Sequence, residues 1–216
     1  MPLLLRDAMT RSLLQSFVLW VLPLSFAQAQ PQSEFVELFD GTLDNWRAVS
    51  TDGNNVSVVD GVLRVAGPNG WLRSRGRYED FRLEVEFRFV TDDADSGVFL
   101  RADADRTFAR GWPDSSYQVQ LRNPLGESAF PAVGFLFRHR MPEGAMQFDG
   151  AAARQAALPT GEWQTLTIEL AGERIAAWLN GTLVMRAVEI TPSRNFIGLQ
   201  AETGVLEFRS IRIAER

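Results

Sequence analysis

The chain has 216 residues and a formal net charge of -5, and 45% of its residues are hydrophobic. That length supports one domain with a sizeable core, and the acidic balance argues against a nucleic-acid surface. Every basic residue is Arg apart from the single His139, and Cys is absent. A lysine Schiff base, disulfides, thiolate catalysis, Cys-ligated zinc and multi-His metal sites are therefore excluded.

At the N-terminus, Arg6 and Arg11 flank the start of the apolar run Leu13 to Phe26, and Ala27-Gln28-Ala29 follows with small residues. This is the pattern of a secretory signal. Residues 1–29 are expected to be a signal peptide cleaved after Ala29, with 30–34 a short leader. Gln15 and Pro23 interrupt the run, which is short for a bilayer span. No Cys follows it, so a lipoprotein anchor is excluded. The expected location is periplasmic or secreted, without stable membrane insertion after cleavage.

The rest of the chain reads as short strands. Phe35 to Phe39 alternates, and Asp40 to Trp46 is a turn closed by an aromatic. Asn54–Val59 and Gly61–Ala66 flank Asp60-Gly61, a hairpin signal. Gly67-Pro68-Asn69-Gly70 is a further turn before the extended Trp71–Ser74. Phe81 to Phe89 is the clearest alternation: Phe81, Leu83, Val85, Phe87 and Phe89 share one face and Arg82, Glu84, Glu86 and Arg88 the other.

Asp95 to Arg101 and Tyr117 to Leu121 are the strands that carry the candidate chemistry. Val98 and Leu100 fall on one face, and Gly97, Phe99 and Arg101 on the other. Tyr117, Val119 and Leu121 oppose Gln118 and Gln120. With the apolar faces inward, an Arg and two Gln project from the outside of a sheet beside an aromatic ring, a surface suited to a sugar. An ordinary solvated sheet face has the same pattern.

The loop Ala102–Ser116 carries Trp112, and the irregular stretch Met141–Pro159 carries Phe148; loops this long are often functional. Gly134–Arg140 is expected to be a strand with Phe135, Phe137 and His139 on one face. Thr165–Leu170, Ile175–Leu179, Leu183–Arg186, Phe196–Gln200 and Val205–Ile213 complete the set, with Asn180-Gly181-Thr182 a second hairpin turn. Trp46, Trp163 and Trp178 are expected in the core. No sustained helical period follows the N-terminal run. The fold expected is all-β, a single jelly-roll β-sandwich of two curved antiparallel sheets over 35–214.

Several of these segments form one ordered pattern. They are Leu38-Phe39-Asp40-Gly41 with Leu43 and Trp46; Val58, Asp60-Gly61 and Leu63; Tyr78, Asp80-Phe81, Leu83 and Glu86-Phe87-Arg88; Asp95-Ser96-Gly97-Val98 and Arg101; Tyr117-Gln118-Val119-Gln120; Trp163-Gln164-Thr165; Leu179-Asn180-Gly181; Gly198-Leu199-Gln200-Ala201-Glu202; and Phe208-Arg209-Ser210-Ile211. In number, order and spacing the pattern resembles the 3-keto-disaccharide hydrolase domain, a former domain of unknown function with a concanavalin A-like jelly roll. The chain departs from it at four polar positions: Asp95 stands for Asn, Gln118 for Glu, Gln164 for Asn and Ser210 for Asn.

The resemblance implies a glycoside substrate oxidised to a ketone at C3 of the sugar. The ketone acidifies the proton on C2, a base removes it, and the enolate expels the C1 substituent. Such a site needs a base and a group to hold the enolate oxygen. Glu202 shares the parity of Gly198 and Gln200 and is the candidate base; it could equally be a surface residue at a strand end. Arg101 is the candidate for the enolate oxygen, with a structural ion pair as its other use. Gln118, Gln120 and Gln200 would bind hydroxyls, or form a cross-strand amide ladder. Phe99, Trp112 and Phe148 would stack on sugar. His139, the side chain with a normal pKa near neutrality, is a further binding candidate; it lies between two arginines and outside every motif, a position that fits an exposed strand residue better. The resemblance allows a divalent cation, which Gln118 disfavours because an amide stands where a carboxylate would bind it. No facing E-x-D-x-x-E carboxylates are present, which argues against ordinary glycosidase chemistry. Two other classes stay open: a non-catalytic carbohydrate-binding module, and a protein–protein interaction sandwich with an exposed apolar face.

Overall fold

A computed structural model describes residues 34–50, 55–104, 109–126, 132–142 and 144–216. The expected signal peptide and the first leader residues lie outside the described residues. Fifteen strands form: β1 Val36–Phe39, β2 Trp46–Val49, β3 Val56–Val59, β4 Val62–Ala66, β5 Trp71–Ser74, β6 Phe81–Phe89, β7 Asp95–Ala102, β8 Ser116–Arg122, β9 Leu136–His139, β10 Met146–Phe148, β11 Gln164–Ala171, β12 Arg174–Leu179, β13 Thr182–Val188, β14 Phe196–Gln200 and β15 Val205–Glu215. They make two antiparallel sheets. One has nine strands in the order β10-β13-β12-β11-β6-β15-β4-β3, with β1 also on β15; the other has six in the order β2-β5-β14-β7-β8-β9.

The period-two pattern sets which side of each sheet is inside. The five apolar residues of β6 are fully buried against Leu72, Val98, Leu100, Tyr117, Val119, Leu121, Ile197 and Leu199 of the six-stranded sheet. Burying each such side chain contributes roughly 1.5–3 kcal/mol. Both expected hairpins have the left-handed pair that a two-residue turn needs: Asp60 and Gly61 at φ 51° and 75°, and Asn180 and Gly181 at 48° and 81°.

The outer face of the nine-stranded sheet is a lattice of paired charges. Glu207 takes Arg64 and Arg88, Glu84 takes Arg82 and Arg212, and Glu86 takes Arg209. Trp163 belongs to this lattice and is only half-buried, with the Arg88 and Arg209 guanidinium groups 4.6 and 4.7 Å from its ring. Trp178 is likewise half-buried, so of the three tryptophans expected inside only Trp46 is core.

Three elements depart from the sequence expectation. β2 continues from the turn after β1, and β10 lies within a stretch expected to be irregular. The third is a short helix, α1, Gly150–Ala156, capped by Asp149, whose side chain accepts from the Ala152 N–H at 2.9 Å. Two turns of helix are too short to show a period, but the cap satisfies one of its free N–H groups.

Candidate functional site

The outer face of the six-stranded sheet carries the candidate residues. Register brings them together: β7 pairs with β8 so that Gly97 faces Gln120 and Phe99 faces Gln118, while β14 sets Gly198 beside Phe99. Gly97 is required here, because a Cβ on it would lie 2.4 Å from Gln118 Nε2. The Gln118 amide fills that space.

The amides interlock. Gln118 Nε2 donates to Gln120 Oε1 and to Gln200 Oε1, both at 2.8 Å. Gln120 Nε2 donates to Asp95 Oδ1 at 2.7 Å, and Arg122 pairs with Asp95 Oδ2. At the other end His139 Nε2 lies 2.7 Å from Gln118 Oε1. Gln118 uses its N–H groups on its neighbours, so its oxygen accepts and the His139 Nε2 carries the proton. Burial also holds the imidazole pKa below its ordinary value, favouring the neutral ring. Gln118, Gln120, Gln200 and Asp95 are all buried. They form the floor of the site as a hydrogen-bonded amide ladder, with their donors and acceptors turned on one another.

Glu202 stands at the rim, just past β14. Its backbone is clamped by the turn before β5: Ala201 N–H donates to Gly70 O at 3.0 Å and Gly67 N–H to Gly204 O at 3.2 Å. Gly67 allows this approach, since a Cβ there would sit 2.1 Å from the Glu202 carbonyl oxygen. Arg110 Nη1 donates to Glu202 Oε1 at 2.9 Å. Burial and the nearby Asp95 charge raise the Glu202 pKa from 4.5 to about 7, against the pull of Arg110 and Arg122. Asp95 is itself pushed up by burial, opposed by Arg122 and Gln120. Two carboxylates and two guanidinium groups thus share one edge of the face, with Glu202 the carboxylate that changes charge near neutrality.

Other expected members lie elsewhere. Arg101 does not reach this cluster. The pairing of β7 with β14 slips between Phe196 and Gly198, and Arg101 takes φ 48°. This bulge turns the side chain off the outer face. Its guanidinium is buried, donating to Thr191 O at 2.7 Å, Gly172 O at 2.9 Å, Asp80 Oδ1 at 3.1 Å and Glu79 O at 3.4 Å. Arg101 is a structural residue tying the sheet to three loops, the ion-pair use that its sequence position also allowed.

Phe99 is fully buried in a second apolar cluster with Trp71, Trp112 and Phe196, its ring 5.7 Å and edge-on to Trp71. Trp112 is buried there too, donating through Nε1 to Ala201 O at 3.2 Å, with Arg110 over its ring at 5.3 Å. It supports Glu202 and Arg110 from behind and offers no open stacking face. Phe148 lies on β10, in the opposite sheet. An aromatic series, Phe148–Phe135–Phe137–His139, with centroids 5.3, 4.9 and 6.4 Å apart, links it to the rim.

Asp95, Arg110 and Arg122 are the members that sequence reasoning did not assign. Asp95 and Arg122 share the outward parity of Gly97 and Gln120, a usable signal; Arg110 sits in a loop with none. Of the four departures from the family pattern, Gln164 and Ser210 lie on the nine-stranded sheet, where Gln164 Oε1 accepts from Leu158 N–H at 2.9 Å and Ser210 Oγ donates to Glu37 at 3.2 Å. Only Asp95 and Gln118 are on the site, at the two ends of the Gln118–Gln120–Asp95 chain. In this chain the carboxylate stands at the Asp95 end and an amide at the Gln118 end.

The donor set does not suit a divalent cation. Among the described residues no three His, Asp or Glu side chains converge. The Gln118 N–H groups point at both neighbouring amide oxygens, where a cation would have to lie.

A model of the 3-keto-alpha-glucoside-1,2-lyase-like domain matches residues 34–214. The chain belongs to this family. No curated protein matches it. Among solved structures, it is similar to a protein assigned as a glycosyl hydrolase from Parabacteroides distasonis, at 22% identity and TM-score 0.65, covering 85% of this chain and all (100%) of the other. It is also similar to porphyranase B from Zobellia galactanivorans, at 11% identity and TM-score 0.55, covering 87% and 95%. A third is the carbohydrate-binding module CBM66 from Bacillus subtilis, at 13% identity and TM-score 0.53, covering 79% and 96%. At these identities the likeness is one of fold: the lyase-like domain is a concanavalin A-like jelly roll.

Proposed function

We propose that the protein is an exported carbohydrate-active enzyme, a hydrolase or lyase that acts on 3-keto-glycosides by removing the proton on C2. The observation that carries this reading is Glu202: a half-buried carboxylate at the rim of a polar sheet face, with its pKa raised to about 7. A general base works best when its pKa lies near the working pH. In the reaction the C2 proton goes to the Glu202 carboxylate and the C–H electron pair forms the C2=C3 enolate. The enolate re-forms the C3 carbonyl, makes a C1=C2 double bond and expels the C1 oxygen, which takes up a proton. Addition of water across C1=C2 completes hydrolysis. Arg110, beside Glu202 and with an exposed guanidinium, is the group suited to hold the enolate oxygen. His139 and Arg122 flank the sugar, and Gln120, which donates to Asp95, opposes the upward push of burial on that carboxyl group, whose charge in turn raises the Glu202 pKa. Family membership supports the substrate class, and the N-terminal apolar run supports export. A sugar also accords with the printed names of the similar structures, a porphyranase and a carbohydrate-binding module among them.

The test is incubation with 3-keto-trehalose and a 3-keto aryl glucoside, following release of the leaving group. Glu202→Gln is expected to lower the rate by about 10²–10⁴; release at an unchanged rate refutes the assignment. One observation favours a second reading, a non-catalytic carbohydrate-binding module: Gln118 is an amide locked to its neighbours where the family pattern has a carboxylate. Saturable binding without release supports that reading. The large exposed apolar side chains among the described residues, Val36, Val59, Leu125, Leu158 and Val188, come from five separate segments, which gives an interaction sandwich little support.

A further inference from the structure

The same outer face holds a second polar feature, three strands from Gln118. A cavity of about 390 Å³ opens at the β2–β5 edge of the six-stranded sheet, lined by Arg47, Arg73, Arg77, Ser50, Val49 and Phe196 among others. Arg47 and Arg73 are direct partners in the β2–β5 register, so two like charges face one another across neighbouring strands. That arrangement is destabilising unless something compensates it.

Nothing among the described residues compensates it with charge. Elsewhere arginines meet carboxylates: Arg64 and Arg88 take Glu207, Arg212 takes Glu84, and Arg110 takes Glu202. Arg47, Arg73 and Arg77 form no ion pair with another described residue. What holds two of them is Phe196, whose ring lies 3.8 Å from the Arg73 guanidinium carbon and 4.6 Å from that of Arg77. Stacking on an aromatic face orients the cations and leaves their N–H edges free. Arg73 Nε is buried without a hydrogen-bond partner among the described residues, and burial, joined by the neighbouring guanidinium groups, pulls the Arg73 pKa down. A protein of net charge -5 thus concentrates three unneutralised cations around one cavity, with a hydroxyl and an aromatic wall.

Register aligns this cavity with the amide ladder. Arg47 pairs with Arg73, Arg73 with Gly198, Gly198 with Phe99 and Phe99 with Gln118, one row across five strands. Three strand spacings separate Arg73 from Gln118, roughly 14 Å, a span that a short oligosaccharide covers.

Resting on the reading that this face binds a saccharide, we propose that the Arg47–Arg73–Arg77 cavity is a subsite for an oxyanion carried by that saccharide. The chemistry it recognises is a compact group with several anionic oxygens, a sugar carboxylate or a sulfate ester. Guanidinium forks suit both, bonding two oxygens at once. Occupation brings the missing negative charge between Arg47 and Arg73 and gives Arg73 Nε its acceptor.

The experiment is calorimetric titration of the protein with methyl glucoside, methyl glucuronide, glucose 6-sulfate and inorganic sulfate, with the Arg73 Nε–H resonance followed by NMR. The variants are Arg47→Ala and Arg77→Ala, both at exposed positions, and Arg73→Gln. At least one anionic sugar is expected to bind about tenfold or more tightly than methyl glucoside, to weaken with salt, and to shift the Arg73 resonance. Each variant should remove that preference. The carboxylate and sulfate arms distinguish the two sources of the oxyanion. Equal binding of neutral and anionic sugars, unchanged in the variants, overturns the subsite and leaves the saccharide reading standing. Binding of inorganic sulfate that the variants abolish, with no sugar bound, upholds the oxyanion pocket and removes the saccharide reading. No anion bound at low salt overturns the subsite outright.

Discussion

Replacing Glu202 by Gln should stabilise the protein in alkaline solution while removing its proposed activity. In the folded protein the carboxyl group titrates at about 7 in place of 4.5, because burial and Asp95 oppose its charge. The folded state therefore holds this proton more tightly than the unfolded chain. Its contribution to stability is fully present below about pH 4.5 and is lost as pH rises through about 7. The interval between the two values corresponds to at most about 3 kcal/mol. Gln keeps the shape and never ionises. Its lost partner, Arg110, is more than half exposed at the side chain, 55%, so freeing it costs little. Urea unfolding of both proteins at pH 5 and pH 8.5 measures the effect. Glu202→Gln should gain about 1–3 kcal/mol at pH 8.5 relative to its difference at pH 5, a midpoint rise of roughly 2–4 °C per kcal/mol on heating. A variant that is equally or more destabilised at pH 8.5 would refute the placement of Glu202 in a desolvated site facing a second carboxylate.

Further outcomes follow from the same geometry. Arg101→Ala should cost about 3–5 kcal/mol, since it strips a buried charge network from Asp80 and three carbonyls; thermal unfolding reads the loss, and whatever folded protein remains should bind sugar normally. Gly97→Ala should displace Gln118, whose Nε2 would be 2.4 Å from the new Cβ, costing about 1–3 kcal/mol by overpacking and weakening ligand binding in titration calorimetry. Gln118→Glu removes the donor to two buried amide oxygens and should cost about 2–4 kcal/mol at pH 8, with a smaller loss at pH 5, where the carboxylate takes up a proton and regains a donor. Chelation with EDTA should change neither unfolding midpoint nor leaving-group release; a loss of either would contradict the poor fit of the donor set to a divalent cation.

The sandwich was legible because its strands alternate. β6 shows this most clearly, with every apolar position buried and every charged one on the outer lattice. The outward parity of Gln118, Gln120, Gln200 and Glu202 was also readable, as were the two glycine hairpin turns. Arg101 was not, because a one-residue bulge against β14 reverses parity without any mark in the pattern. The interlocking of the glutamines depends on register between strands distant in sequence, which alternation along one strand cannot report. The same holds for Asp95, whose charge bears on Glu202 only because the β7 and β14 ends meet at the Asp95–Thr203 bridge. α1, at seven residues and with Ala153 its one buried side chain, is too short to carry a periodic signal. Trp163 is a large apolar residue that finds its partners in two arginines of the outer face, Arg88 and Arg209, a use that hydrophobicity alone does not suggest.

Whether Glu202 is the base is read from exchange of the C2 proton of a 3-keto-glycoside into deuterated water, followed by NMR as a function of pH. With the native protein, exchange and leaving-group release should both rise through about pH 7 as Glu202 ionises, and Glu202→Gln should show neither. Exchange that is unaffected by the substitution, or release without any exchange at C2, would contradict Glu202 as the base that opens the reaction.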